Sequence, residues 1–90
     1  MSRMPMNKRW NDKAWDEYVD WYKEDSKTFD KINALIKDIE RNGVNRGLGK
    51  PEKIRWRDGW SRRIDNTNRL VYKIDEHGYL YIISCKGHYE

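Results

Sequence analysis

Apolar positions recur at a helical period up to Asn42, and after Pro51 they alternate with polar positions at the period of a strand. Trp15, Tyr18, Val19 and Tyr22 stand at i, i+3, i+4 and i+7, which predicts a helix over 12–23 with Asn11 as its N-cap. Asp12, Asp16 and Glu17 suit the positive end of that helix's dipole. Asp25-Ser26 offers a second N-cap, and Phe29, Ile32, Leu35, Ile36 and Ile39 trace one stripe of a helix over 28–41, with Gly43 as a left-handed cap. So short a connection predicts an antiparallel helical hairpin. Arg9 and Trp10 close a short strand ahead of it.

Beyond the Gly-rich connector 42–51, strands are predicted over 53–56, 60–64, 69–74 and 79–84. Their separators, Asp58-Gly59, Asp65-Asn66-Thr67-Asn68 and Asp75-Glu76-His77-Gly78, carry turn chemistry. Short connections make these strands an antiparallel meander. Two helices on one face of it give an α+β domain spanning 1–90, with 1–7 as a short flexible lead. The tryptophans, tyrosines and isoleucines of both helical stripes are expected in the core.

Charge changes this picture. Residues 1–42 hold nine Lys/Arg against nine Asp/Glu, whereas the rest holds ten against six, so the whole +4 excess lies in the second half. Arg46, Lys50, Lys53, Arg55, Arg57, Arg62 and Arg63 surround Trp56 and Trp60, with Glu52 and Asp58 as the intervening anions. Cations interleaved with aromatic planes suit a single-stranded polyanion, and equally a solvated basic loop. Gly47, Gly49 and Lys50 fail the P-loop spacing, which excludes that mode of nucleotide binding. Lone Cys85 excludes an internal disulfide and suits a reducing cytoplasm. His77, His88 and Cys85 are too few for a structural zinc site, and no metal or other cofactor is expected. No apolar run is long enough to span a bilayer, and no signal-peptide pattern is present, so a cytoplasmic protein without a membrane partner is expected.

RNA can be cut without a metal because its 2′-OH attacks the neighbouring phosphate. That chemistry needs a base for the 2′-OH proton, a cation for the phosphorane charge and an acid for the leaving 5′-oxygen. Glu52 suits the first role, Arg69 with Arg62 or Arg63 the second, and His88 the third. Tyr89 offers a ring for a nucleobase. Each has an ordinary alternative. Glu52 is then a solvated neighbour of Lys50 and Lys53, Arg69 pairs with Asp65 or Asp75, His88 is an unremarkable terminal histidine, and Tyr89 packs under the second helix. Cys85 reads as inert packing and His77 as a turn residue.

Taken together, Asn33-x-Leu35-Ile36-Lys37-Asp38-Ile39, Gly47-x-Gly49-Lys50-Pro51-Glu52, Trp60-Ser61-Arg62-Arg63-Ile64, Asn68-Arg69-Leu70-Val71-Tyr72 and His88-Tyr89 resemble the YoeB/Txe toxins. These belong to the RelE-like superfamily of bacterial type II toxin–antitoxin systems, and the likeness runs from Trp10 to Tyr89. The resemblance implies a RelE-like fold and a ribosome-dependent mRNA endonuclease acting in the A site. It implies Glu52 as general base, Arg69 as the phosphate-stabilising arginine, His88 as general acid and Tyr89 as the residue that orients the scissile nucleotide. Lys50, Arg62 and Arg63 fall on matching basic positions and are expected to contact RNA, with Arg55 ranked below them. It further implies a YefM-like antitoxin, a homodimer of the free toxin, and operator DNA bound through the antitoxin complex.

Three departures accompany the likeness: a shortened 53–59 segment, Gly87 where a larger residue is common, and Glu90 after Tyr89. Two other functions compete with the nuclease. A superfamily relative that poisons gyrase by binding shares the fold without this Glu/His pair, and a noncatalytic RNA-binding module uses the basic face alone.

Overall fold

The structure, a computed structural model, describes residues 6–87. Strand β1 (Lys8–Trp10) leads into helix α1 (Asp12–Glu24) and helix α2 (Ser26–Asn42). Then come β2 (Glu52–Lys53), β3 (Trp60–Arg63), β4 (Arg69–Ile74) and β5 (Leu80–Ser84). The five strands form one sheet in the order β1-β5-β4-β3-β2. β2 to β5 are antiparallel neighbours, as expected of a meander, but β1 joins β5 in parallel and makes the sheet mixed. Local periodicity is blind to this pairing, which joins strands about seventy residues apart in sequence. Of the expected flexible lead, residues 1–5 lie outside the described residues, while the Met6 N–H donates to Glu40 Oε2 at 2.8 Å and the Asn7 carbonyl accepts from the Leu80 N–H at 2.9 Å.

Capping follows the sequence. Asn11 accepts from the Lys13 N–H at 2.9 Å, and Asp25 accepts from the Lys27 and Thr28 N–H groups while its own N–H closes α1 on the Trp21 carbonyl. Gly43 ends α2 at φ 93° and ψ 178°, so the expected left-handed cap is instead an extended exit open to glycine. α2 buries Ile32, Leu35, Ile36 and Ile39 as expected.

α1 departs from expectation: its buried residues are Ala14 and Glu17, while Trp15 and Tyr22 are exposed. Ala14 lets the helix backbone come close to β5. The rings stand beside that contact in a ladder from Trp10 through Trp15, Tyr18 and Phe29 to Tyr22, with centroids 4.6–5.7 Å apart. β2 is likewise shorter than expected. Ile54 is buried at 6% exposure and its N–H closes a loop on the Gly59 carbonyl at 3.0 Å, leaving 55–58 outside any strand.

Both helices cover one face of the sheet, where Leu70, Tyr72, Leu80 and Ile82 meet α2 and Ala14. Arg62 lies on that face, fully buried, which corrects its expected role as an RNA contact. All five guanidinium donors are used. Nε donates to the Tyr72 hydroxyl, Nη1 to Asp38 Oδ2 at 2.5 Å and to the Leu48 carbonyl, and Nη2 to the carbonyls of Gly43 and Arg46. Tyr72 in turn donates to the Val44 carbonyl at 2.7 Å. One side chain thus folds the connector 43–48 back onto the sheet. Gly47 is required there, since a Cβ would fall 1.9 Å from Asp38 Oδ2.

Replacing Arg62 by Ala strands the Asp38 carboxylate and several carbonyls in the interior, and the expected loss is about 3–5 kcal/mol in urea unfolding. A loss below ~1 kcal/mol would contradict the anchoring role. Burial pushes the Asp38 carboxyl up, but hydrogen bonds from Arg62, the Leu48 N–H and Asn42 outweigh it and hold the group below its ordinary 3.8. A depressed folded value means that the contribution is complete above pH 3.8 and disappears as pH falls through the folded value. Acid titration of stability is expected to show this fall below about pH 4, and Asp38→Asn to flatten it.

Candidate functional site

Strand alternation sends Arg62, Leu70 and Tyr72 inward and Ser61, Arg63, Arg69 and Val71 to the face without helices, where Val71 is nonetheless buried. The register sets Glu52 opposite Ser61 and Ser61 opposite Val71, with Arg63 opposite Arg69 in the next row. Glu52, Arg63, Lys50 and Arg55 are exposed, and Arg69 is half-buried. The Arg63 N–H donates to the Gly49 carbonyl at 2.6 Å, which brings the chain at Lys50 alongside Arg63. Strand and row spacings separate the Glu52 and Arg69 backbones by about 12 Å. Among the described residues, no cluster of three or more His, Cys, Asp or Glu side chains is arranged to hold a metal.

Arg69 is held at the start of β4. Its Nη1 donates to the backbone carbonyls of Asp65 at 2.8 Å and Asn68 at 3.1 Å. The Asp65 carboxylate accepts from Thr67 N–H, Asn68 N–H and the Asn68 amide. Burial raises the Asp65 pKa, yet these bonds and Arg69 bring it below its ordinary value. Asp75 caps the β4–β5 turn by accepting from the His77 and Tyr79 N–H groups, and Arg9 lies 3.6 Å away.

His88, Tyr89 and Glu90 lie outside the described residues. The chain leading to them is fixed as far as Gly87, whose N–H donates to Asn68 Oδ1 at 2.8 Å and whose carbonyl accepts from the Arg69 N–H at 3.0 Å. Gly87 has φ 94°, a conformation that favours glycine and explains the small residue there.

Just before it, the Cys85 N–H donates to the Glu17 carboxylate at 2.8 Å, and its carbonyl accepts from the Trp21 indole at 2.9 Å. Burial first, and then Glu17, push the Cys85 thiol up to about 12, in keeping with inert packing. From the sequence, Glu17 is expected only to suit the helix dipole and Asn68 has no separate role. The available signal for Glu17 was its i, i+3, i+7 relation with Ala14 and Trp21, one small and one aromatic residue on a shared face.

A helical hairpin on a mixed five-stranded sheet is the RelE-like toxin fold. The toxin–antitoxin complex DinJ-YafQ of Escherichia coli contains a chain with this fold at 14% identity and TM-score 0.72, with 94% of each chain covered. Residues 10–89 match the family described as YoeB-like toxin of bacterial type II toxin-antitoxin system. Toxin YoeB of Escherichia coli K12 is 40% identical over 82 residues, which is 89% of this chain and 95% of the relative. The YoeB dimer of Staphylococcus aureus superposes with TM-score 0.87 at 41% identity, covering 96% of this chain and all of that one. A YoeB-YefM complex of the same organism gives 0.85 at 39% identity with the same coverage. The chain belongs to the YoeB family of type II toxin–antitoxin toxins.

Asn68→Ala removes the acceptor for Gly87. Amide exchange by NMR is expected to show Gly87 protected in the parent protein and exchanging at least about fivefold faster in the variant, as the lost bond is worth about 1 kcal/mol or more. Unchanged exchange would mean that the tail is held elsewhere.

Proposed function

We propose that this toxin is a ribosome-dependent endoribonuclease that cuts mRNA in the A site and so inhibits translation. In the cleavage step the Glu52 carboxylate takes the 2′-OH proton, and the 2′-oxygen attacks the adjacent phosphorus. Arg69 stabilises the charge gathered on the phosphorane oxygens. His88 protonates the departing 5′-oxygen, leaving a 2′,3′-cyclic phosphate and a 5′-OH. No metal takes part in this scheme. Tyr89 orients the scissile nucleotide, and Lys50, Arg63 and Arg55 contact phosphates. Arg62 acts only through the fold.

The observation carrying this reading is the shared uncovered face of Glu52, Arg63 and Arg69, with Gly87 tied to Asn68 and Arg69 one residue before His88. The chain offers a base and fixed cations on the same surface, and a tether leading to an acid.

A YefM-like antitoxin is the proposed partner, together with a homodimer of the free toxin. The Staphylococcus aureus relatives form a YoeB-YefM complex and a YoeB dimer. Operator DNA is reached through the antitoxin complex. The absence of any helix long and apolar enough to cross a membrane, among the described residues, accords with action on ribosomes in the cytoplasm.

The test is primer extension on mRNA in a reconstituted translation reaction. The parent protein is expected to give A-site breaks that require ribosomes. Glu52→Gln and His88→Ala should each slow cutting about 10²–10⁴-fold without loss of folding. A 2′-deoxy nucleotide at the cut should abolish cleavage. Intact mRNA with active ribosomes would defeat the reading and direct attention to gyrase or to binding alone.

A further inference from the structure

The two tryptophans of the cationic segment have different environments. Trp60 is half-buried against the core, whereas Trp56 is 63% exposed. Trp56 rides a closed loop, because Ile54 is buried, the Ile54 N–H is bonded to the Gly59 carbonyl, and Asp58 lies 3.8 Å from Lys73 of β4. Its indole lines a cavity of about 170 Å³ with Glu52, Lys53, Ile54, Arg55 and Ser61, and exposed Arg57 follows it in sequence. Cations on both sides of an indole select a polyanion that also has aromatic faces. Glu52, Ser61 and Lys53 add donors and acceptors for the edge of a base.

We infer that Trp56 is a stacking platform for an unpaired nucleobase of the mRNA, held in this cavity within about one nucleotide of the attacked phosphate. The neighbouring arginines take the phosphates on either side of that base. Glu52 in the cavity wall argues for the mRNA rather than a ribosomal base, since the carboxylate that attends the 2′-OH cannot stand far from the cut. The position relative to the cut rests on the nuclease reading; the stacking contact does not.

The test uses programmed ribosomes whose mRNA carries 2-aminopurine at each A-site position in turn, with a 2′-deoxy sugar at the scissile nucleotide so that stacking is read without cleavage. All-ribose mRNA is run in parallel for cutting. The parent protein is expected to change the fluorescence at one position and Trp56→Ala to abolish that change. In the cutting reaction kcat/KM should fall about 5- to 150-fold for Trp56→Ala and return largely to the parent value for Trp56→Phe, with the thermal midpoint unmoved. Equal kcat/KM, or a fluorescence change that survives Trp56→Ala, overturns the proposal. Weakened ribosome binding with no 2-aminopurine response overturns the assignment to mRNA in favour of a ribosomal base. A fluorescence change without cutting of all-ribose mRNA defeats the nuclease reading and leaves the base subsite standing.

Discussion

A buried guanidinium holds this fold together. Arg62 has no access to water, and its charge is tolerated because Asp38 faces it and every N–H finds an oxygen. Three of those oxygens are main-chain carbonyls at 43, 46 and 48, in a connector with no regular structure of its own. A hydrophobic residue would fill the volume but leave these carbonyls without donors. The end of α2, the connector and the sheet are therefore one hydrogen-bonded unit, and Tyr72 extends it to Val44.

That unit makes the sheet's two faces different environments. The inward face is covered by α2 and by Ala14 of α1. The outward face carries no helix and, around buried Val71, keeps its cations: Arg63 and Arg69 near one end, and Lys73 beside Tyr81 farther along, with Arg9 stacked 4.4 Å from the Tyr81 ring. A sheet covered on one side normally shows a polar outer face. Here that face is biased to one sign of charge, which costs some repulsion and favours a polyanionic partner.

How much of this was legible depended on whether the signal was local. Both N-caps, the α2 stripe and β4 could be read, because capping and amphipathic period are set by neighbours in sequence. The α1 stripe could not be read correctly: hydrophobicity ranks Trp15 and Tyr22 above Ala14, but close packing of a helix on a strand selects the small side chain. The parallel pairing of β1 is a long-range contact with no local mark. Arg62 and Arg63 look alike as adjacent cations, yet they sit on opposite faces. Trp60, Arg62 and Ile64 form the inward row, so strict alternation contained the answer that charge counting hid. The expected site divides in the same way: Glu52, Arg63 and Arg69 share the open face, Arg62 belongs to the core, and His88 and Tyr89 lie beyond Gly87.

The buried arginine and the open face are linked through a short stretch of chain. From the Arg62-bound carbonyl of Leu48 there are four residues to Glu52, including Gly49, Lys50 and Pro51. At Gly49 a Cβ would press on the Arg63 carbonyl, Leu35 and Arg62 at 3.0–3.1 Å, and Lys50 has φ 51°, a left-handed conformation uncommon outside glycine and asparagine. So confined a path leaves little freedom in where β2 begins, and hence in where the Glu52 carboxylate stands relative to Arg69 two strands away. A buried core cation thus constrains the path of the chain that leads to the proposed base. Conserving charge at position 62 with lysine would not preserve it, because one ammonium cannot offer five donors in the plane that the connector's carbonyls require.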